Sequence, residues 1–173
     1  MQQDTLTLYK LIVLFMLDKV DFPLTNAQIS NFILEKGYTN YFNIQQAISA
    51  LHDNNFITTE TIRNSSYLRI TDGGRQVLGY CLSDVSSTIQ QEIVDYLQEH
   101  HYQLRDEVSV RSDYYEEKKD SFMVRCVAKD GKTDVIELNL NVASEEEAST
   151  ICDSWQKKSQ EIYAYLIQQL MAK

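Results

Sequence analysis

Basic residues are in short supply: 16 Lys and Arg stand against 25 Asp and Glu, giving a formal net charge of −9 over 173 residues. That balance argues against broad electrostatic attraction to nucleic acid, so the placing of the few cations matters more than their number. Cysteine is equally sparse. Cys81, Cys126 and Cys152 are odd in number and widely spaced, which excludes a disulfide framework or a CxxC metal site and leaves buried small hydrophobes as the expectation. Pro23 is the one proline, and there are no repeats or low-complexity tracts. The longest apolar run, Leu11 to Leu17, is closed by Asp18 and Lys19 and falls well short of the ~20 residues of a membrane-spanning helix. The N-terminus lacks the basic flank and cleavage site of a signal peptide, so a cytoplasmic location is expected, with no membrane partner.

Catalytic signatures are missing too. GxSxG, P-loop, dinucleotide and HExxH motifs are all absent, so neither an enzyme nor a cofactor is expected. His100 and His101 are neighbours that a helix would point about 100° apart, a poor start for a metal site; they are expected in a helix's last turn, where the dipole favours them. His52 stands alone and is expected to be exposed.

What is present is organised. Residues 1–82 carry six basic and seven acidic side chains, whereas residues 83–173 carry ten and eighteen. The acidity therefore shifts at the polar run Ser83–Thr88, which is taken as the boundary between two domains, 1–82 and 83–173. Asp4 to Lys19 reads as a helix apolar nearly all the way round, and such a helix must be covered on every side. Two covers remain open: wedging between two domains of one chain, or a dimer interface.

Thr25 and Gln28 form a capping box before the stripe Ile29, Phe32 and Ile33, and Gly37 supplies a left-handed stop. A second helix starts at Thr39 or Asn40, carries Ile44, Ala47, Ile48 and Leu51 on one face, and ends at Asn54-Asn55. Two short helices across a glycine turn are a helix-turn-helix unit. Phe56–Arg63 and Tyr67–Thr71 then read as a β-hairpin around Asn64-Ser65-Ser66. Thr71-Asp72 starts another helix, whose Gly73 and Gly74 suit a close approach to the hairpin.

The second half has a different pattern. A helix capped by Ser86 or Ser87 precedes three alternating segments. Their shared faces are Val108, Val110, Ser112 and Tyr114; Phe122, Val124, Cys126 and Ala128; and Ile136, Leu138, Leu140 and Val142. Asp130-Gly131 marks a hairpin turn. Ser144 and Glu147 cap a long last helix with the stripe Ala148, Ile151, Trp155, Ile162, Leu166 and Leu170. Alternating strands need a cover, which this helix provides. The fold class is α+β: an N-terminal winged helix-turn-helix, then a helix and a three-stranded antiparallel sheet with a long C-terminal helix, the latter for dimerisation or sensing.

The stretches "LTNAQISNFI", "YFNIQQAISALHDNNFI" and "YLRITDGGRQVL" resemble the winged-helix transcription regulators. Within them, Ile70 to Leu78 looks like the hairpin-then-"I-T-x-x-G-R-x-x-L" signature of the PadR- and MarR-like groups. The whole chain is similar to an uncharacterised bacterial family, domain of unknown function 4364. The regulator resemblance implies a homodimer that binds double-stranded DNA, with the helix from Asn40 to Asn55 in the major groove. Phe42, Gln45, Gln46, Ser49 and Asp53 then point outward. Asn40, Tyr41, Asn43, Gln45, Gln46 and Ser49 are the candidate DNA contacts on that helix, since Asn and Gln pair with adenine. Arg63, Ser65 and Arg69 are the candidates on the hairpin. The first and last helices are the expected dimer contacts. A small-molecule effector between sheet and last helix, near Tyr114, Cys126 and Trp155, is a further expectation. The alternative is a winged-helix protein-interaction module without DNA binding, favoured by the acidic charge, by a recognition helix without Lys or Arg, and by exposed Tyr41 and Phe42.

Overall fold

Side-chain caps set most helix boundaries in the computed structural model, which describes the backbone of residues 2–173 and side chains from residue 5 onward. The elements are α1 (Gln2–Asp18), β1 (Leu24–Thr25), α2 (Asn26–Glu35), α3 (Tyr41–Asp53), β2 (Ile57–Ile62), β3 (Ser65–Ile70) and α4 (Asp72–Cys81). After a 3-10 turn (Leu82–Asp84) come α5 (Ser87–Glu99), α6 (His101–Ser109), β4 (Val110–Lys118), β5 (Ser121–Asp130), β6 (Thr133–Val142) and α7 (Glu145–Met171). Thr25, Asn40, Thr71, Ser86 and Ser144 each accept a hydrogen bond from the first turn of the helix they precede, which satisfies backbone donors that a helix cannot pair internally. The protein is α+β, with two three-stranded antiparallel sheets and a long C-terminal helix.

The chain divides into two compact units, residues 1–108 and 109–173. In the first, Leu11 to Leu17 are all at most 3% exposed. α1 packs against α3, α4, α5 and β3, so its apolar circumference is covered within unit 1 and needs neither a second domain nor a second copy. The polar run Ser83–Thr88 is not a linker. It forms the 3-10 turn and the Ser86 cap, and Ile93, Leu97, Leu104 and Val108 of α5 and α6 join the same core as α1. The structural division thus falls 26 residues after the expected one at Leu82. The structure adds α6 where the sequence pattern predicts strand: Val108 belongs to this helix, and the strand begins at Val110. Its short apolar pattern is equally compatible with a strand read from sequence.

Sheet order in unit 1 is β1-β3-β2. The hairpin loop is Arg63-Asn64, closed by Ile62 opposite Ser65, rather than the expected Asn64-Ser65-Ser66. Placing Ile57 opposite Ile70, both buried, fixes a register that leaves only two residues for the loop. Arg63 takes φ +53° there, as a two-residue hairpin loop requires of its first position.

In unit 2 the order is β4-β5-β6, and the β5–β6 hairpin turns at Gly131, with φ +60°. Buried Val124, Cys126, Ala148, Cys152 and Trp155 form the core between sheet and α7. Side-chain bonds fix the helix over β4 and β5: Ser112 Oγ donates to the Cys152 carbonyl (3.1 Å), and Trp155 Nε1 donates to the Val127 carbonyl (3.1 Å). Cys126 and Cys152 are buried, whereas Cys81 is half-buried. Burial first, and then nearby Cys152, push the Cys126 thiol up to about 11, so it stays protonated and inert at neutral pH. Among the described residues, no group of His, Cys, Asp and Glu is arranged to hold a metal, and no helix is long and apolar enough to cross a membrane.

Candidate nucleic-acid interface

The geometry of α2 and α3 follows from how each helix ends. After α2, Gly37 N–H bonds the Leu34 carbonyl (3.1 Å) and Tyr38 N–H bonds Ile33 (3.2 Å). After α3, Asn55 N–H bonds His52 (2.9 Å) and Phe56 N–H bonds Leu51 (2.9 Å). Both are Schellman stops, with Gly37 at φ +69° and Asn55 at φ +58°. Two definite ends with a short turn between them hold α3 at a fixed angle to α2.

A polar lock completes that fixing. Asn26 Nδ2 donates to Gln45 Oε1 (2.7 Å), and Gln45 Nε2 donates back to Asn26 Oδ1 (2.8 Å) and to Ser30 Oγ (3.2 Å). Ser30 Oγ in turn donates to Asn26 Oδ1 (2.9 Å) and is only 3% exposed. Gln45 is therefore half-buried and committed to α2, although the sequence places it on the outward face. At ~100° per residue it falls on the flank between core and solvent, where a partner helix decides its direction. α2 is tied down on its other side as well. Gln28 completes the capping box with Thr25 and donates Nε2 to the Leu104 carbonyl (3.2 Å) and to Glu107 (2.7 Å) on α6. Tyr38 donates its hydroxyl to Glu92 on α5. Burial, and next the Glu92 bond, raise the Tyr38 pKa, so the phenol remains neutral.

Two other expected contact residues have local duties. Asn40 is the N-cap of α3, accepting from Asn43 N–H (2.9 Å), and Asn43 Nδ2 donates to Thr39 Oγ1 (2.9 Å). What α3 leaves to solvent is the strip Phe42, Gln46, Ser49 and Asp53, with Tyr41 on its flank. Phe42 is 73% exposed and Tyr41 59%. On the hairpin, Ser65 and Arg69 are exposed and Arg63 is half-buried. His52 is exposed beside Asp53. His100 closes α5, its Nδ1 2.9 Å from the Tyr96 carbonyl, while His101 opens α6. Asn26 and Ser30 carried no sequence signal as positioning residues, because the lock joins positions 19 apart that belong to no common periodicity.

The lock separates two adjacent glutamines by experiment. Gln45→Leu is expected to lower stability by about 1–3 kcal/mol in urea titrations, since Asn26 Nδ2 loses its acceptor and Asn26 Oδ1 and the buried Ser30 Oγ lose the amide that donates to them. Gln46→Ala is expected to change it by less than about 0.5 kcal/mol. Equal effects would contradict the division between a positioning residue and a surface one.

Fold and site together define a two-unit α+β protein. Its first unit presents a short helix held at a fixed angle beside a hairpin. The chain belongs to the family described as Domain of unknown function (DUF4364), whose family model matches residues 9–170. Comparison with curated proteins and with solved structures found no match.

Proposed function

We propose that this protein is a DNA-binding transcriptional regulator, acting as a homodimer in the cytoplasm without enzymatic activity, and that unit 1 is its winged helix. The carrying observation is α3: capped at both ends and locked to α2, it leaves the strip Phe42, Gln46, Ser49 and Asp53 with no core duty. In a winged helix the second helix of the pair enters the major groove with its N-terminal residues foremost. Gln46 then reads adenine, Phe42 meets a thymine methyl, and Ser49 makes a lesser contact. Arg69, with Arg63 and Ser65 near the hairpin tip, serves phosphates. Asn40, Asn43 and Gln45 act by shaping the helix rather than by touching bases. Two copies reading paired half-sites compensate for the shortage of cations in each.

Fluorescence polarisation against a library of genomic duplexes at ~50 mM salt tests this, because counterion release makes binding strongest there. Arg69→Ala is expected to weaken all sequences alike and to reduce the salt slope by about 1, whereas Gln46→Ala costs about 1–3 kcal/mol on the preferred site only. No binding at low salt overturns the reading.

A second reading, a protein-interaction module on the same fold, is favoured by the exposed Phe42 and by the lack of Lys and Arg in α3. It requires that Phe42→Ala abolish capture of a protein partner while duplex DNA remains unbound.

A further inference from the structure

The two edges of the unit 2 sheet are built differently. β4 carries five charged side chains in nine residues, Arg111, Asp113, Glu116, Glu117 and Lys118, and its register shifts between Glu116 and Lys118. Charges and bulges are how edge strands avoid pairing with other chains. β6 has a bulge of its own near its start, at Val135, but far fewer charges. Its ten residues include two carboxylates and no Lys, Arg or Pro. Both carboxylates are neutralised within the chain, Glu137 by Arg125 (2.8 Å) and Asp134 by Lys129 (3.4 Å). The register shift opposite Ala128 and Lys129 leaves Val135 without a β5 partner and the seven residues Ile136 to Val142 regularly paired. Among the described residues, β6 pairs only with β5, so every second residue of that stretch turns its N–H and C=O outward.

Its apolar face is also incompletely covered. The bonds from α7 reach β4 and β5: Tyr114 to Glu145, Gln156 to the Val110 carbonyl, Ser112 to Cys152 and Trp155 to Val127. Over β6, Leu140 is 41% exposed, and Ile136, Leu138 and Val142 are only half-buried.

We infer that β6 pairs antiparallel with β6 of a second copy across a two-fold axis at Asn139, joining two three-stranded sheets into one of six strands. The register follows from the length of the regular stretch, since Asn139 is its midpoint. Opposite residues must share a face, and with this centre Leu138 meets Leu140 of the other copy and Ile136 meets Val142. The half-open apolar rows then lie side by side and cover each other's flanks. On the other face Glu137 meets Asn141, and no like charges stand opposite. A second copy fits better than an unrelated strand because in this register the edge sets apolar residue against apolar residue on one face and opposes no like charges on the other. This deepens the dimer named in the proposed function by assigning its surface, but the argument rests on β6 and not on DNA.

The test is oligomeric state without DNA. Sedimentation across protein concentration is expected to show a dimer. Asn139→Lys sets two ammonium groups face to face at an exposed position. It is expected to weaken the dimer at least roughly ten-fold while circular dichroism stays unchanged; melting falls modestly, because the new Lys also lies opposite Arg125 of its own chain and dimer linkage is lost. An equimolar mixture of Asn139→Lys and Asn139→Asp chains restores it. Asn139→Cys, in a Cys81→Ser background with copper phenanthroline as oxidant, is expected to give a disulfide-linked dimer on a non-reducing gel. A wild-type chain that is monomeric at ~100 µM overturns the inference. So does a dimer that Asn139→Lys leaves intact and Leu170→Glu, on the exposed end of α7, disperses. A dimer that passes these tests but binds no duplex leaves the interface standing and removes the DNA reading alone.

Discussion

Gly74→Ala is expected to unfold unit 1 or to cost it at least about 3 kcal/mol, whereas Gly73→Ala one residue earlier is expected to be neutral or slightly stabilising. A Cβ on Gly74 would sit 2.2 Å from the Phe56 carbonyl oxygen and 2.9 Å from Ile70 Cγ1. The carbonyl cannot retreat freely, because it accepts the Thr71 N–H (3.0 Å), while Thr71 Oγ1 donates to the Asn55 carbonyl (2.7 Å) and accepts from Gly74 N–H (3.1 Å). These bonds join the end of α3, the start of β2 and the first turn of α4 at one point. On Gly73 the nearest atom would be 3.7 Å away, an ordinary contact, and alanine there also restricts the unfolded chain. Since domains are held by only ~5–15 kcal/mol, urea denaturation followed by circular dichroism separates the two variants. A Gly74→Ala protein within about 1 kcal/mol of wild type would refute the close approach.

Trp155→Ala is expected to remove about 3–5 kcal/mol from unit 2, the usual cost of emptying a large aromatic site. The effect is large relative to the core it acts on. Only five buried residues form that core, Trp155 is the largest of them at 2% exposure, and its indole N–H is the partner of the Val127 carbonyl. Hydrogen exchange checks the outcome: amides of β4, β5, β6 and α7 should lose protection while those of α1 keep theirs. Trp155→Phe should lose less, through a smaller cavity and the missing hydrogen bond. Loss of protection in α1 to the same degree would show that the two units unfold as one.

The readings that succeeded from sequence were those with a local cause. Thr25 with Gln28, Gly37, Asn54-Asn55 and Ser144 punctuate the helices through bonds spanning three to five residues; the expected capping box at Ser144 forms only by half, since Glu147 accepts from Ala143 N–H instead of Ser144. The alternating faces of Phe122–Ala128 and Ile136–Val142 follow from the two-residue period of a strand, and Leu138 indeed stands opposite Cys126. Gly74 falls between these cases. A glycine pair in a helix start points to a close approach, but only the position of Phe56 shows which of the two glycines is indispensable.

Sequence alone determined the order of most elements, the α+β class and the ends of those helices that carry a side-chain cap or a left-handed stop, because capping and hydrophobic period act within a turn or a strand. Tertiary structure alone decided that α1 is covered by its own unit, that α5 and α6 belong with it, and that Gln45 turns to Asn26 while Gln46 faces solvent. Those outcomes depend on which surfaces meet across tens of residues. An apolar stripe or a flanking amide specifies that it needs a partner, but not which segment will supply one.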